Sequence, residues 1–295
     1  MIIHFLYTPF TGLGLRGGYR GDNWLKNRIR VFKEYVLPSL MNQSKREFTL
    51  WISWRPEEKD NPIVQDFMRS LEGMRGLAVI HTFHGLCFYD DKYDHSTAKE
   101  RLKANLKATL PELREAVGAA EKVLMTIQPS DDMYLSHAVD EIQYQSVDCK
   151  SMAFEEGYLI NYATKEMAEY NPTTIPPFST VVFTPKTFLD YKLHYEHTKE
   201  YKSHEDLPKL KPYKTIQGRG FVVGTHGANI STTWNIPFKG RDLTEEERDA
   251  VLIKTNTLFA EPIVMKQGLR LFARKAFNKL PSPIQNKIRD IYHNV

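Results

Sequence analysis

Cysteine is almost missing. Cys87 and Cys149 are the only two in 295 residues, and neither belongs to a CxxC pair. That excludes a disulfide framework and a cysteine zinc site, and it fits a reducing compartment. Long apolar runs are missing too. No stretch approaches the roughly 18 residues that span a bilayer, so the chain is expected to be soluble or peripheral. Residues 1–10 are apolar without a basic leader, and a Gly-rich segment follows in place of a small-residue cleavage site. This start reads as a first strand and not as a signal peptide. Charge of one sign is scarce. A net charge of +4, scattered along the chain, suits an anionic ligand or surface but is too small to indicate nucleic acid. No internal repeat and no low-complexity tract is present.

What is there suits a globular protein: 41% hydrophobic and 26% charged residues, in a chain long enough for one large α/β domain with an appendage or for two small domains. Such a length buries a core without staples. Strand and helix patterns alternate, which favours a mostly parallel mixed sheet flanked by helices. A strand is predicted over 2–8, and then a loop over 11–23 holding Gly12, Gly14, Gly17, Gly18 and Gly21. Asp22 or Asn23 can cap the following helix. In that helix Leu25, Ile29, Phe32, Val36 and Leu40 form one apolar stripe, and Pro38 should kink or restart it. Strands follow at 48–54, 78–83 and 122–127, with helices at 62–71 and 96–119 between them. Residues 152–162, 180–183 and 220–225 read as further strands. A charged helical stretch covers 186–201. From about residue 243 the chain reads as helical and peripheral. The fold is therefore expected to divide into a sheet domain, 1–238, and a helical extension, 239–295.

In open parallel sheets, ligands sit beyond the C-terminal ends of the strands. The sharpest feature there is Asp131 and Asp132, directly after the strand at 122–127. Hard carboxylate oxygens at a fixed strand end suit Mg2+ or Mn2+ bound to a diphosphate. Such an ion would neutralise a departing diphosphate. The same pair could instead cap the next helix, at typically about 0.3–1 kcal/mol each. His226, on a Gly-flanked segment after an apolar strand, could be a third metal ligand or a histidine satisfied by a turn. Glu205 and Asp206 are candidates for the general base of a sugar transfer, with Glu155 and Glu156 as rivals. They could equally be a solvated helix end between Lys202 and Lys209. The Gly-rich loop with Arg16, Arg20 and Arg28 suits phosphates. It lacks the GxxxxGK[ST] spacing of a P-loop, and GxGxxG opening directly into a helix. Between 266 and 292, Lys266, Arg270, Arg274, Lys275, Lys279, Lys287 and Arg289 are interleaved with apolar residues. This basic amphipathic stretch could lie on an anionic membrane or pack on the core.

One run carries a resemblance. Trp24-Leu25-Lys26-Asn27-Arg28 continues through Phe32 to Leu37-Pro38-Ser39-Leu40, Gln43 and Phe48-Thr49-Leu50-Trp51. It resembles the entry into the first helix and second strand of a bacterial rhamnosyltransferase family, a GT-A-type group of glycosyltransferases. Thr225-His226-Gly227-Ala228-Asn229 is similar to that family's closing His-Gly-x-Asn. The family's Asp-x-Asp-Asp motif is matched by Pro129-Ser130-Asp131-Asp132, so its first acid is absent. Pro9 stands after Thr8, where the family carries arginine.

The resemblance implies a GT-A-like fold and transfer of a sugar, rhamnose by analogy, from a nucleoside-diphosphate donor. The acceptor would be a hydroxyl of a glycan or lipid-linked precursor. It implies a divalent metal, Mn2+ or Mg2+, on Asp131, Asp132 and His226. Thr8, Gly12, Gly14, Arg28 and Asp131 would face the nucleotide, and Asp206 or Glu205 would act as base. A cytoplasmic protein, peripheral on the inner face of the membrane and without nucleic-acid partners, is expected. Two other classes share the pattern: a sugar-phosphate nucleotidyltransferase, and a non-catalytic glycan- or nucleotide-binding protein.

Overall fold

The computed structural model describes residues 1–11, 21–86, 98–173, 175, 176, 178–201, 204–226, 229, 233–236 and 238–263. Gly12, Gly14, Arg16, Arg20, Cys87, Gly227 and the basic stretch 266–292 lie outside the described residues.

Strand β1 (Ile2–Pro9) opens the fold. Helix α1 (Asp22–Val31) starts from Gly21, whose φ of 83° suits glycine. The Leu25 N–H closes the first turn on the Gly21 carbonyl at 3.1 Å. Asp22 and Asn23 therefore do not cap; both lie inside the helix. The expected stripe is buried at Leu25, Ile29, Phe32, Val36 and Leu40. A π-helical turn, Phe32–Val36, separates α1 from α2 (Leu37–Met41), and the Leu37 N–H reaches back to the Phe32 carbonyl. Pro38 has no N–H to offer Glu34, so the ladder widens just before it and then restarts.

Strand β2 (Thr49–Ser53) follows, and then α3 (Pro62–Glu72). Asn61 caps α3 by accepting the Ile63 N–H at 2.9 Å. Next come β3 (Ala78–Thr82), α4 (Ala98–Thr109) and α5 (Arg114–Val117). The single helix expected over 96–119 is split by a 3-10 segment, Leu110–Leu113, because Pro111 cannot donate to the preceding turn. The chain continues with β4 (Lys122–Ile127), β5 (Met133–Tyr134), α6 (Ala138–Gln145), β6 (Ser151–Asn161) and β7 (Met167–Tyr170). The last described elements are β8 (Ser179–Phe183), α7 (Pro185–Leu189), α8 (Tyr191–Thr198), β9 (Tyr213–Thr225), β10 (Lys239–Asp242) and α9 (Glu245–Lys254).

The class is mixed α/β, as the sequence pattern predicts. Strands β3, β2, β1 and β4 lie side by side and parallel. Beyond β4 the sheet turns antiparallel through β8, β6, β7 and β10. Long β9 runs parallel to β6, from Ser151↔Tyr213 to Asn161↔Thr225, and holds short β5 in an antiparallel pair. Strands β1, β2 and β4 bury both faces, as their near-continuous apolar runs require, while β3 at the edge is partly exposed. Leu6, Leu50, Ile52 and Leu124 face a cluster with α1 and α3. Phe5, Tyr7, Trp51, Val123 and Met125 face the other, with Leu106, Leu110, Leu113 and Val117.

Strands β7 and β10 were not expected from the sequence. Each has only four residues, too few to show a period. The stretch 239–263 packs on the same body. β10 pairs with β7, and Val251, Leu252 and Ile263 join Tyr162, Met133 and Val222 in a third apolar cluster. Among the described residues, no helix is long and apolar enough to cross a membrane.

Candidate active site

Register places the site. Tyr7 is opposite Ile127, the last residue of β4, and the Gln128 N–H continues the ladder onto the Tyr7 carbonyl at 2.8 Å. Thr8 and Gln128 therefore stand side by side at the C-terminal edge of the parallel strands. There the chain leaves β4 and crosses to β9, where Met133 pairs with Val222 and Tyr134 with Phe221. The crossing sets Asp131 and Asp132 against the end of β9. They do not cap a helix, since β5 intervenes and α6 begins only at Ala138. Gln128 braces this turn, donating from Nε2 to the carbonyls of Pro129 (2.9 Å) and Asp132 (2.8 Å).

Glycine at 224 permits the contact. A Cβ there would meet Tyr162 and the Asp131 carbonyl, both inside 3.0 Å. Its absence lets the Gly224 N–H donate to Asp132 Oδ1 at 2.8 Å. The Tyr162 hydroxyl donates to the Asp131 carbonyl at 2.8 Å, and the Tyr162 ring lies parallel to that of His226. Asn229 ties the end of the segment, donating to the Gly224 carbonyl at 2.6 Å and accepting the His226 N–H at 2.7 Å.

The Asp131 carboxylate is the hub. Arg28, reaching from α1, sets Nη1 against Asp131 Oδ2 as an ion pair. His226 Nε2 lies 3.1 Å from the same oxygen, and Asn229 Nδ2 lies 3.3 Å from it. Arg28 is only 5% exposed and stacks over Trp24, 5.3 Å from the ring centre. Its Nε has no hydrogen-bond partner among the described residues. Two more buried polar atoms at this strand edge, Thr8 Oγ1 and Gln128 Oε1, have no hydrogen-bond partner among the described residues either. Buried polar groups are nearly always satisfied, so three orphans at one edge mark a place where polar groups can accept a ligand.

The charges sort themselves. Burial alone would raise the Asp131 pKa, but the Arg28 charge and the His226 hydrogen bond outweigh it and hold the carboxyl below its usual range. Burial, and then the adjacent Asp131 charge, push Asp132 well above that range. Burial lowers His226 against the opposing pull of Asp131. A neutral imidazole facing a carboxylate carries its proton on Nε2 and donates it. Arg28 and Asp131 thus balance each other, while Asp132 and His226 are pushed toward their neutral forms.

A divalent ion on Asp131, Asp132 and His226 does not fit this arrangement. Asp131 Oδ2 is directed at Arg28, His226 and Asn229, and Asp132 Oδ1 at a backbone N–H. Among the described residues, no three His, Cys, Asp or Glu side chains are grouped to hold a metal. An ion of charge two placed 4 Å from the guanidinium would meet about 8 kcal/mol of repulsion at an effective dielectric of 20, which cancels the attraction of one carboxylate at the same distance.

The sequence-predicted residues divide. Arg28, Asp131, Asp132 and His226 come together, and Thr8 stands at the same strand edge. Gly12 and Gly14 lie outside the described residues. Glu205 and Asp206 sit in a 3-10 turn, His204–Lys209, where Asp206 meets Lys209 at 2.6 Å. That turn is held by Ser151 Oγ, which donates to the carbonyls of Leu207 (3.1 Å) and Leu210 (2.8 Å) beside the start of β6. His226 instead follows the last residue of β9. Glu155 accepts from Tyr213 (2.7 Å) and Thr215 (2.9 Å). Gln128 and Tyr162 escaped sequence reasoning. Gln128 reaches it from the end of β4 and Tyr162 from the end of β6, and no local pattern announces either contact.

Residues 19–72 match the model of a family described as "Putative rhamnosyl transferase". The matched segment is under a fifth of the chain and contains Arg28 but none of Asp131, Asp132 and His226. No curated protein matches the chain. Among solved structures, HddC from Yersinia pseudotuberculosis aligns at 10% identity and a TM-score of 0.34, over 76% of this chain and 88% of that one. The glycosyltransferase GlyE of Streptococcus pneumoniae aligns at 11% identity and 0.35, over 73% of this chain and 45% of that one. This chain thus spans less than half of GlyE. The inositol-1-phosphate CTP transferase from T. maritima aligns at 12% identity and 0.39, over 90% and 97%. The segment in which Trp24-Leu25 through Trp51 carried the resemblance is the segment that the rhamnosyl transferase family matches.

Proposed function

We propose that the chain is a glycosyltransferase that moves a sugar from a nucleoside-diphosphate donor to a hydroxyl of a glycan or lipid-linked acceptor. The observation that carries this reading is Arg28. It lies inside the matched segment and is held, buried, against Asp131 at the C-terminal edge of the parallel strands. That edge is where parallel sheets bind nucleotides, and Thr8, Gln128 and Arg28 bring unpartnered polar atoms to it. Arg28 and the loop after β1 would hold the donor diphosphate, with Thr8 toward the nucleoside. Glu205 or Asp206 is our candidate to take the acceptor proton. Rhamnose is the sugar suggested by the match, and the basic residues between 266 and 292 would favour an acceptor at an anionic surface.

The test is product analysis. The purified chain is incubated with dTDP-, UDP- and GDP-sugars and a panel of glycan and lipid-linked acceptors. Release of a nucleoside diphosphate with sugar on the acceptor is expected, and Arg28→Lys, which loses the donor fork toward the diphosphate, should cut turnover by about 10²–10³. Formation of a nucleotide-sugar from a sugar phosphate and a nucleoside triphosphate would assign the chain to nucleotidyl transfer instead. Binding of glycans with no turnover of any donor would make it a binding protein.

A further inference from the structure

We propose that Arg28, and not a divalent metal ion, is the resident cation of this site, and that nucleoside diphosphates bind here without metal. The ligand class rests on the glycosyltransferase reading; the cation assignment rests on geometry alone.

The acidic pair by itself would suggest a metal. The second observation is the side chain that occupies the position opposite it. Arg28 is built in: it comes from α1, it is 5% exposed, it stacks over Trp24, and its Nη1 is aimed at Asp131 Oδ2. The remaining contacts of that oxygen are taken by His226 at 3.1 Å and Asn229 at 3.3 Å. Asp132 Oδ1 accepts the Gly224 N–H at 2.8 Å. Among the described residues, Asp131, Asp132 and His226 do not form a group that could hold a cation.

A guanidinium is suited to what an ion would otherwise do. It presents five N–H donors in a rigid fork and keeps its charge at any physiological pH. One edge can rest on a carboxylate while another holds a phosphate oxygen. Arg28 has such capacity left, since its Nε lacks a partner among the described residues. A lysine in its place would keep the charge and lose the fork.

The test uses the full chain and two probes. Mn2+ alone is titrated with the protein and followed by electron paramagnetic resonance. The wild type should leave the free-ion spectrum unchanged through the micromolar range. Arg28→Met removes the resident charge and should bind Mn2+ roughly tenfold tighter or better than wild type. In the second arm, UDP, GDP and dTDP are titrated calorimetrically with EDTA or with MnCl2. The diphosphate that binds should show the same Kd, within about twofold, in both. Arg28→Lys should weaken it under both conditions. Micromolar Mn2+ binding by the wild type, or loss of nucleotide binding in EDTA, overturns the proposal. The wild-type measurements need no variant to fold. If none of the three diphosphates binds under either condition, the donor reading fails, and the Mn2+ titration still decides what Arg28 does.

Discussion

The close approach of β9 to the Asp131 turn should make Gly224→Ala one of the costliest small substitutions in the chain. The added carbon would lie inside 3.0 Å of both the Tyr162 ring and the Asp131 carbonyl. Neither can give way cheaply. The carbonyl is backbone, and Tyr162 is fully buried, bonded to that carbonyl and packed against Tyr35, 4.0 Å between ring centres. Overpacking of this kind costs about 1–3 kcal/mol. Moving the strands apart also strains the Gly224 N–H to Asp132 bond, and a buried acceptor left unmade costs about 1–3 kcal/mol more. The sum, about 2–6 kcal/mol, corresponds to a Tm drop of roughly 4–24 °C at about 2–4 °C per kcal/mol. Differential scanning calorimetry reads it directly. Gly73→Ala is the control: its φ is −85° and nothing lies within 4 Å of the added carbon. That variant should stay within about 0.5 kcal/mol of wild type. If Gly224→Ala melts within about 1 °C of wild type, the strands are not held as close as argued.

Further outcomes follow from single contacts. His4 is buried between Thr126 (2.7 Å) and Gln143 (3.4 Å), and burial, helped by Lys45, lowers its pKa from 6.5 to about 3. The unfolded chain therefore binds the proton more readily, and stability that is full above pH 6.5 is lost as pH falls toward 3. Between pH 7 and pH 5 this group alone should cost about 2 kcal/mol; denaturant midpoints at the two pH values measure it, and His4→Gln should flatten that part of the slope. Asn61→Ala removes the cap of α3 and should cost about 0.5–2 kcal/mol in urea unfolding, while Asn61→Asp should retain most of it. Tyr162→Phe takes the donor from the Asp131 carbonyl without changing shape. A loss of about 0.5–1.5 kcal/mol is expected, and an unchanged midpoint would mean the bond is not made in solution.

Much of the fold was legible because its signals are local. The stripe at Leu25, Ile29, Phe32, Val36 and Leu40 and the apolar runs of β1, β2 and β4 announce themselves by period. So does Pro38, whose missing N–H re-spaces the helix ahead of it. Signals failed where the cause is distant or brief. The helix over 96–119 breaks at Pro111, which a stripe count passes over. Gly21 takes the start of α1 from Asp22 because its backbone, at φ 83°, turns the chain before a side chain can cap it.

The site was half legible for the same reason. Asp131 and Asp132 follow a strand and His226 follows another, so each could be found alone. Their mutual relation could not, because it depends on β5, two residues long, pairing with Phe221 and Val222 across about ninety positions of chain. That pairing decides the chemistry. It turns Asp132 onto a backbone N–H and leaves Asp131 to Arg28, so one acid of a pair that reads as a metal site in sequence is half of a buried ion pair in the fold. Breaking such a pair by removing one partner costs typically about 3–5 kcal/mol, because the other charge stays buried. Arg28→Met should therefore destabilise the chain by about that much, and Arg28→Met with Asp131→Asn should recover part of the loss. A double variant no more stable than the single one would show that Arg28 does not answer Asp131, and the charge account of the site would fall with it.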